Sequence, residues 1–430
     1  MRALHQAIRT TILLKKTINF RLAFICMAAA SVGLSMVIIS ISKLLLIICG
    51  LATLLFTQRV SEPGKRLAGM STPVAVLISL FAFSLSLFWT VAPPADALGS
   101  LAKYGKLIVI VLMVVVIRDR REAMYALGAF VLAQTFLLAS SWMLFLHLPV
   151  PWATSNMAST EYAVFSSYLD QGIMSAVLAA ICWHLRDLAP GRFGRHLAVL
   201  VAAAALFNVF FVLSGRSGHV AAIALLSLAI MWELPKRYRA AIVLLPFLLA
   251  LVLFFSSTKV QERLTQVKTE VQSYSTQVQP TTSSGLRLSL WRRAIEMIKQ
   301  HPFAGTGVGS WITESKRLQH EQNPDRTADG YENPHQEYLL WGVQLGIPGI
   351  LMFFALLLSV LRDSAGMEKP YARATQSALL ALAVACLFNA SIYDALIGDF
   401  FCVSIGLLLA LGLSKPANEA SAPPQQECLP

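Results

Sequence analysis

Residues Glu332–Gly349 read ENPHQEYLLWGVQLGIPG. The stretch opens polar and turns into an apolar run that continues to Leu361. A bilayer core is ~30 Å thick and takes roughly 20 helical residues to cross. The run over 337–361 therefore predicts a membrane-spanning helix, with Asn333 suited to its N-cap and Pro334 to its first helical position. On that reading His335 stands in the first turn, where the helix dipole disfavours imidazolium. A neutral imidazole facing outward is a competent general base. The alternative is an interfacial histidine with no task.

The same pattern recurs along the chain. Of 430 residues, 56% are hydrophobic and 13% charged, far from soluble usage. Apolar runs at 22–40, 43–57, 71–91, 104–117, 123–146, 172–185, 197–213, 219–234, 240–256, 337–361, 375–390 and 400–414 predict an all-α polytopic integral membrane protein with about 12 transmembrane helices. Residues 22–56 would make a helix about 52 Å long at ~1.5 Å per residue. That is too long for one crossing, so a turn is expected near Ser40–Lys43. The basic N-terminus, MRALHQAIRTTILLKKTINFR, predicts a signal anchor rather than a cleaved signal peptide.

Charge placement tests the count independently. With loops numbered alternately, 21 Lys and Arg fall on the N-terminal side and 4 (Lys43, Lys103, Lys106, Arg216) on the other, outside one long loop. Such a bias places both termini in the cytoplasm. The net charge of +12 is then largely topology and not a sign of nucleic acid. The six cysteines are scattered singly, with no CxxC or Cys/His cluster, which indicates neither zinc nor a disulfide framework.

The organisation expected is a nine-span region over 1–256, a long outer loop over 257–336, three spans over 337–414, and a disordered cytoplasmic tail over 415–430. Within the loop, TKVQERLTQVKTEVQSYSTQ has helical spacing, QPTTSSG breaks it, and LRLSLWRRAIEMIKQHP reads as a second amphipathic helix. GTGVGS lacks the GK[ST] of a phosphate-binding loop and the context of a dinucleotide fingerprint, so it reads as a tight turn.

Three positions carry the chemistry besides supporting ones. Arg216 lies in VLSGRSGHV, a loop so short that the arginine sits at the hydrocarbon edge, where charge is costly and either functional or snorkelling. Gly215 and Gly218 would let backbone approach an anion, beside the free N–H groups of the next helix. Arg287 shares a helical face with Trp291, Ala294 and Ile298, so it points toward protein or membrane; Arg292 and Arg293 read as a solvated face. Lys103 and Lys106 open the fourth span from outside, and Asp394 and Asp399 lie in the last outer loop. Each is a candidate supporting residue or a helix-end pair. His219 reads as a packing or interface residue.

SGRSG, SSGLRLSLWRRAIEMIKQHPFAGTGVGSW and NPHQEYLLWGVQLGIPG together resemble the O-antigen ligase and O-antigen polymerase family of bacterial membrane glycosyltransferases. The resemblance covers roughly residues 200–350 by motif and the whole chain by topology. It implies a GT-C-like fold and an inverting transferase. The donor would be O-antigen on undecaprenyl pyrophosphate, and in ligases the acceptor would be a sugar hydroxyl of lipid A–core. It also implies lipopolysaccharide biosynthesis at the Gram-negative inner membrane, with a periplasmic active site. The matching positions are His335 as base and Arg216 and Arg287 as pyrophosphate ligands. The family looks metal-independent, without cofactor, nucleotide sugar or ATP.

Within that resemblance a polymerase or a pilin-type oligosaccharyltransferase stays open; the single large outer loop leans to a ligase. A transporter or flippase of lipid-linked sugars would instead place charged residues midway through spans, and almost none is expected here.

Overall fold

The computed structural model describes residues 20–56, 67–235, 237–238, 244–256, 258, 261–262, 283–322 and 330–414. The expected anchor over 1–19, most of the first loop helix and the tail over 415–430 lie outside the described residues.

All regular structure among the described residues is helical. The order is α1 (Phe20–Ser31), α2 (Met36–Phe56), α3 (Thr72–Leu85), α4 (Pro94–Tyr104), α5 (Ile108–Val116) and α6 (Arg120–Phe145). There follow α7 (Tyr168–His184), α8 (Gly191–Phe207), α9 (Arg216–Glu233) and α10 (Leu245–Ser256). The loop helices are α11 (Ser283–Gln300) and α12 (Trp311–Gln322), and α13 (Glu337–Ala365), α14 (Lys369–Phe388) and α15 (Ala395–Leu413) complete the chain.

Seven helices among the described residues are long and apolar enough to cross a bilayer: α2, the continuous α4–α5, α6, α8 with its extension to Val212, α13, α14 and α15. The chain is a polytopic membrane protein. Each of the twelve expected runs overlaps a described helix in the same order. The other five (α1, α3, α7, α9 and α10) are shorter or less apolar, so seven of the twelve expected spans reach that length and apolarity among the described residues.

Two boundaries differ from expectation for identifiable reasons. The first turn lies at 32–35, where Gly33 adopts φ +84°, and not at Ser40–Lys43. Glycine takes that left-handed conformation without a Cβ penalty and so ends α1. Lys43 can remain inside α2 because its ammonium meets Asp399, 2.8 Å away. The fourth span starts at Pro94, ten residues early. A short 3-10 turn over Gly105–Leu107 joins α4 to α5, so Lys103 and Lys106 sit within the span rather than at its mouth.

Side-chain contacts define two ends of the bundle. At one end Arg21 of α1 pairs with Glu122 of α6, and Arg120 meets Glu368 just before α14 at 2.8 Å. There too Arg373 of α14 meets Glu233 at the end of α9 at 2.8 Å. Asp363, near the end of α13, accepts from the Ser71 and Thr72 amides at the start of α3 at 2.8 and 2.7 Å. The starts of α9 and α13 therefore lie at the opposite end, as alternating crossings require. There α15, buried along most of its length, brings its N-terminus beside α5.

The loop helices are locked onto this end by the glycine turn. Thr306 and Gly307 amides donate to the Val343 and Gln344 carbonyls at 2.9 and 3.0 Å, and the Ile347 amide donates to Pro302 at 2.7 Å. These groups are free to pair because α13 unwinds at Gly346 (φ +72°, ψ −161°). A Cβ on Gly307 (φ +87°) would fall 2.3 Å from Thr90 Cα, so only glycine permits the approach. The tight-turn reading of GTGVGS holds, with the addition that the turn clamps α11 and α12 against α13.

Candidate active site

The chain reaches α13 through an extended segment rather than a helical turn. Asn333 accepts from the His335 amide through Oδ1 at 2.8 Å, closing a local turn, and His335 adopts φ +51°. The helix begins at Glu337, and its cap is Gln336, whose side chain accepts from the Leu339 amide. His335 thus stands two residues before the helix and not in its first turn. The reason is that Asn333 spends its carbonyl on the His335 amide, which leaves the capping task to Gln336.

The ring of His335 faces the α14–α15 turn. Nδ1 lies 3.1 Å from Asn389 Oδ1, at the C-terminal cap of α14. Asn389 donates through Nδ2 to Asp394 Oδ2 at 2.8 Å, and Asn333 Nδ2 lies 3.3 Å from Asp394 Oδ1. Burial pushes the Asp394 carboxyl above the ordinary carboxylate range, against the opposing pull of His335, Lys106, the Asn389 amide and Lys103. Tyr331 packs edge-on to the imidazole, 6.2 Å between ring centres.

The turn that carries Asn389 and Asp394 is held from two sides. Lys106 donates to the Asp394 carbonyl at 2.7 Å and reaches the Tyr393 carbonyl at 3.4 Å. Glu337, fully buried, accepts from the Ile392 and Tyr393 amides at 2.8 and 3.1 Å and from Trp341 Nε1 at 2.9 Å. Lys103 pairs with Glu332 at 3.2 Å and lies over the Tyr393 ring, 4.2 Å from its centre. The structure therefore brings His335, Asp394, Lys103 and Lys106 together. Asp399 is not in this turn; it lies inside α15, paired with Lys43.

Arg216 is the first residue of α9, half-buried, with Gly215 as the cap. The flanking glycines serve helix packing here. A Cβ on Gly215 would lie 3.1 Å from the Tyr168 carbonyl, and one on Gly218 would lie 3.0 Å from Gly172 Cα, so α9 seats directly on α7. Next on α7 is Asp170, whose carboxylate interacts electrostatically with that of Asp394. Arg216 is thereby placed at the same end of the bundle as His335. His219 is buried and stacks on Phe210 at 5.9 Å, a packing residue as expected.

Arg287 is half-buried in the second turn of α11. The buried stripe of that helix is Leu290, Arg293, Ala294 and Met297, so of the expected face through Trp291, Ala294 and Ile298 only Ala294 is fully buried, with Trp291 and Ile298 half-buried at its side. Arg292 is exposed as expected, but Arg293 is not a solvated residue. Its guanidinium donates to Ser315 Oγ at 2.8 Å and Gln319 Oε1 at 3.2 Å, joining α11 to α12.

Residues 197–354 match the O-antigen ligase family. No curated protein matches the chain. The matched segment runs from α8 past the middle of α13 and contains Arg216, Arg287 and His335. Asn389, Asp394, Lys103 and Lys106 lie outside the matched residues; Asn389 meets the histidine of that segment, Asp394 meets Asn389, and the two lysines contact the turn that carries them. Asn389, Glu337 and Asp170 were not legible as site residues. An acid such as Glu337 at the start of an apolar run needs a partner, and that is the one signal the sequence offered.

Proposed function

We propose that this protein is an O-antigen ligase in the inner membrane of a Gram-negative cell, working on the periplasmic side. It transfers O-antigen from undecaprenyl pyrophosphate to a sugar hydroxyl of lipid A–core. His335 acts as general base: it removes the proton of the acceptor hydroxyl as that oxygen attacks the anomeric carbon. The bond from the anomeric carbon to the pyrophosphate oxygen breaks on the opposite face, with inversion. The electron pair leaves on the pyrophosphate, whose growing charge the planar guanidiniums of Arg216 and Arg287 stabilise by paired hydrogen bonds. Lys103, Lys106 and Asp394 support the site, and the reaction needs no divalent metal.

The observation that carries this reading is the placement of His335, held by Asn389 outside the mouth of α13 within the matched domain. A base at that level meets two lipid-anchored substrates whose headgroups both lie at the membrane surface.

One observation favours a second reading. The Lys43–Asp399 pair lies within the helix bundle, the kind of charge a transporter of lipid-linked sugars would place there. Purified protein in proteoliposomes with donor and acceptor lipids separates the two. A ligase joins glycan to lipid A–core in the presence of EDTA, whereas a transporter moves donor across the bilayer without consuming acceptor. Extension of one donor chain by another, with no use of lipid A–core, would establish a polymerase instead. Loss of transfer in EDTA, restored by one divalent ion, would show that a cation shares the pyrophosphate with the arginines.

A further inference from the structure

The imidazole of His335 meets an amide before it meets an acid. Asn389 stands between the ring and Asp394, 3.1 Å from Nδ1 on one side and 2.8 Å from Asp394 Oδ2 on the other. An ionised carboxylate only accepts hydrogen bonds, so it is the NH₂ of Asn389 that faces Asp394. The second carboxylate oxygen faces another amide. Asn333 gives its carbonyl to the His335 N–H, which can only donate, so its own NH₂ is turned to Asp394 Oδ1. With its NH₂ committed, Asn389 offers the ring a carbonyl oxygen, and a carbonyl oxygen only accepts. The ring nitrogen it meets must carry a proton.

We infer that Asn389, oriented by Asp394, is a positioning residue that fixes His335 in the Nδ1–H tautomer and leaves the Nε2 lone pair as the base. This rests on the reading of His335 as the general base. The acceptor proton moves to Nε2 as the new glycosidic bond forms, and the imidazolium is steadied by the Asn389 carbonyl. Asp394 adds its charge through one intervening amide, and the proton has no direct path to it. Nε2 therefore returns its proton to the pyrophosphate product or to water.

The frame is built to hold this geometry. Lys106 fixes the carbonyls of Tyr393 and Asp394, while Glu337 fixes the amides of Ile392 and Tyr393, so the turn between Asn389 and Asp394 is tied to α13 and to the α4–α5 junction at once. The titratable groups around the ring are Tyr331 and Glu332 of its own segment and Asp394 of the α14–α15 turn. Behind that turn stand Lys103 and Lys106 of the fourth span and Asp170 of α7. Glu337 is turned away, onto backbone amides.

The test compares wild type, Asn389→Leu, Asn389→Asp and His335→Ala as full-length protein in proteoliposomes, with lipid-linked donor and lipid A–core acceptor. Asn389→Leu should lower kcat by about 10-fold or more, since an unoriented base loses part of its contribution of roughly 10²–10⁴, with donor KM near wild type. Asn389→Asp still accepts from Nδ1–H, with a proton shared between the new carboxyl and Asp394 in place of the lost N–H donor, and should recover part of that loss. A carboxylate in direct contact favours imidazolium, so the acidic limb of its kcat/KM profile should move to higher pH. Wild-type kcat in Asn389→Leu beside an inactive His335→Ala would overturn the role of Asn389 alone. Equal impairment of both Asn389 variants, with no shift of the acidic limb, would also overturn it. Turnover by His335→Ala would overturn the base reading itself.

Discussion

Lys43 of α2 and Asp399 of α15 form an ion pair inside the helix bundle, with the ammonium 2.9 and 2.8 Å from the two carboxylate oxygens. Asp399 is almost wholly buried, and Lys43 is partly so. The pair ties the second helix to the last, across most of the chain. It also shows why charges midway through spans escaped the hydropathy reading. Two opposite charges far apart in sequence cancel in space, and neither looks paired in a linear scan.

Removing one member should cost far more than removing both. Lys43→Met leaves a buried carboxylate without its cation, a change worth ~3–5 kcal/mol. The double variant Lys43→Met/Asp399→Leu should recover most of that loss. Thermal melting of the four proteins in one detergent gives the cycle. Additive single effects would mean that the two residues do not depend on each other.

Arg216→Lys and Arg287→Lys should both transfer poorly although the charge is kept, because an ammonium cannot form the planar paired contacts of a guanidinium with pyrophosphate. A fall of about 10-fold or more in kcat/KM, worth roughly 1.4 kcal/mol, is expected for each. A lysine variant at wild-type rate would remove bidentate recognition at that position.

Gly307→Ala and Gly346→Ala should loosen the docking of α11 and α12. The new methyl would meet Thr90 Cα at 2.3 Å in one case and the Pro302 carbonyl at 2.5 Å in the other, both at positive φ. Gly128→Ala, in α6 with open space around it, is the matched control. Limited proteolysis should cut the loop region faster in the first two variants only. Equal resistance in all three would show that the glycine turn is not what holds the loop.

Reporter fusions check the crossing order without reference to chemistry. Fusions after residues 190 and 366 should report cytoplasm, and those near 95 and 155 the outside. A reversed result at 95 alone would mean that α3 and the α4–α5 span do not both cross.

The order of helices was legible because apolar runs of bilayer length are a strong, local signal, and so was the position of Arg216 and His335 at the ends of spans. The break of α1 was misplaced because Lys43 looks like a loop residue until Asp399 is known to face it. Arg293 was read as solvated for the same kind of reason: its partners, Ser315 and Gln319, lie on another helix. Asn389 carried no signal at all. An asparagine at a helix end is ordinary, and only folding brings it to a histidine 54 residues away.

The most direct test of the account is His335→Ala in proteoliposomes, with donor binding and glycan transfer measured separately. The variant should bind the undecaprenyl-pyrophosphate donor as wild type does, since the arginines remain. Its transfer to lipid A–core should fall by about 10²-fold or more, the ordinary contribution of a positioned base. Donor binding lost together with transfer would make His335 a binding residue, and turnover near wild type would show that the acceptor proton goes elsewhere.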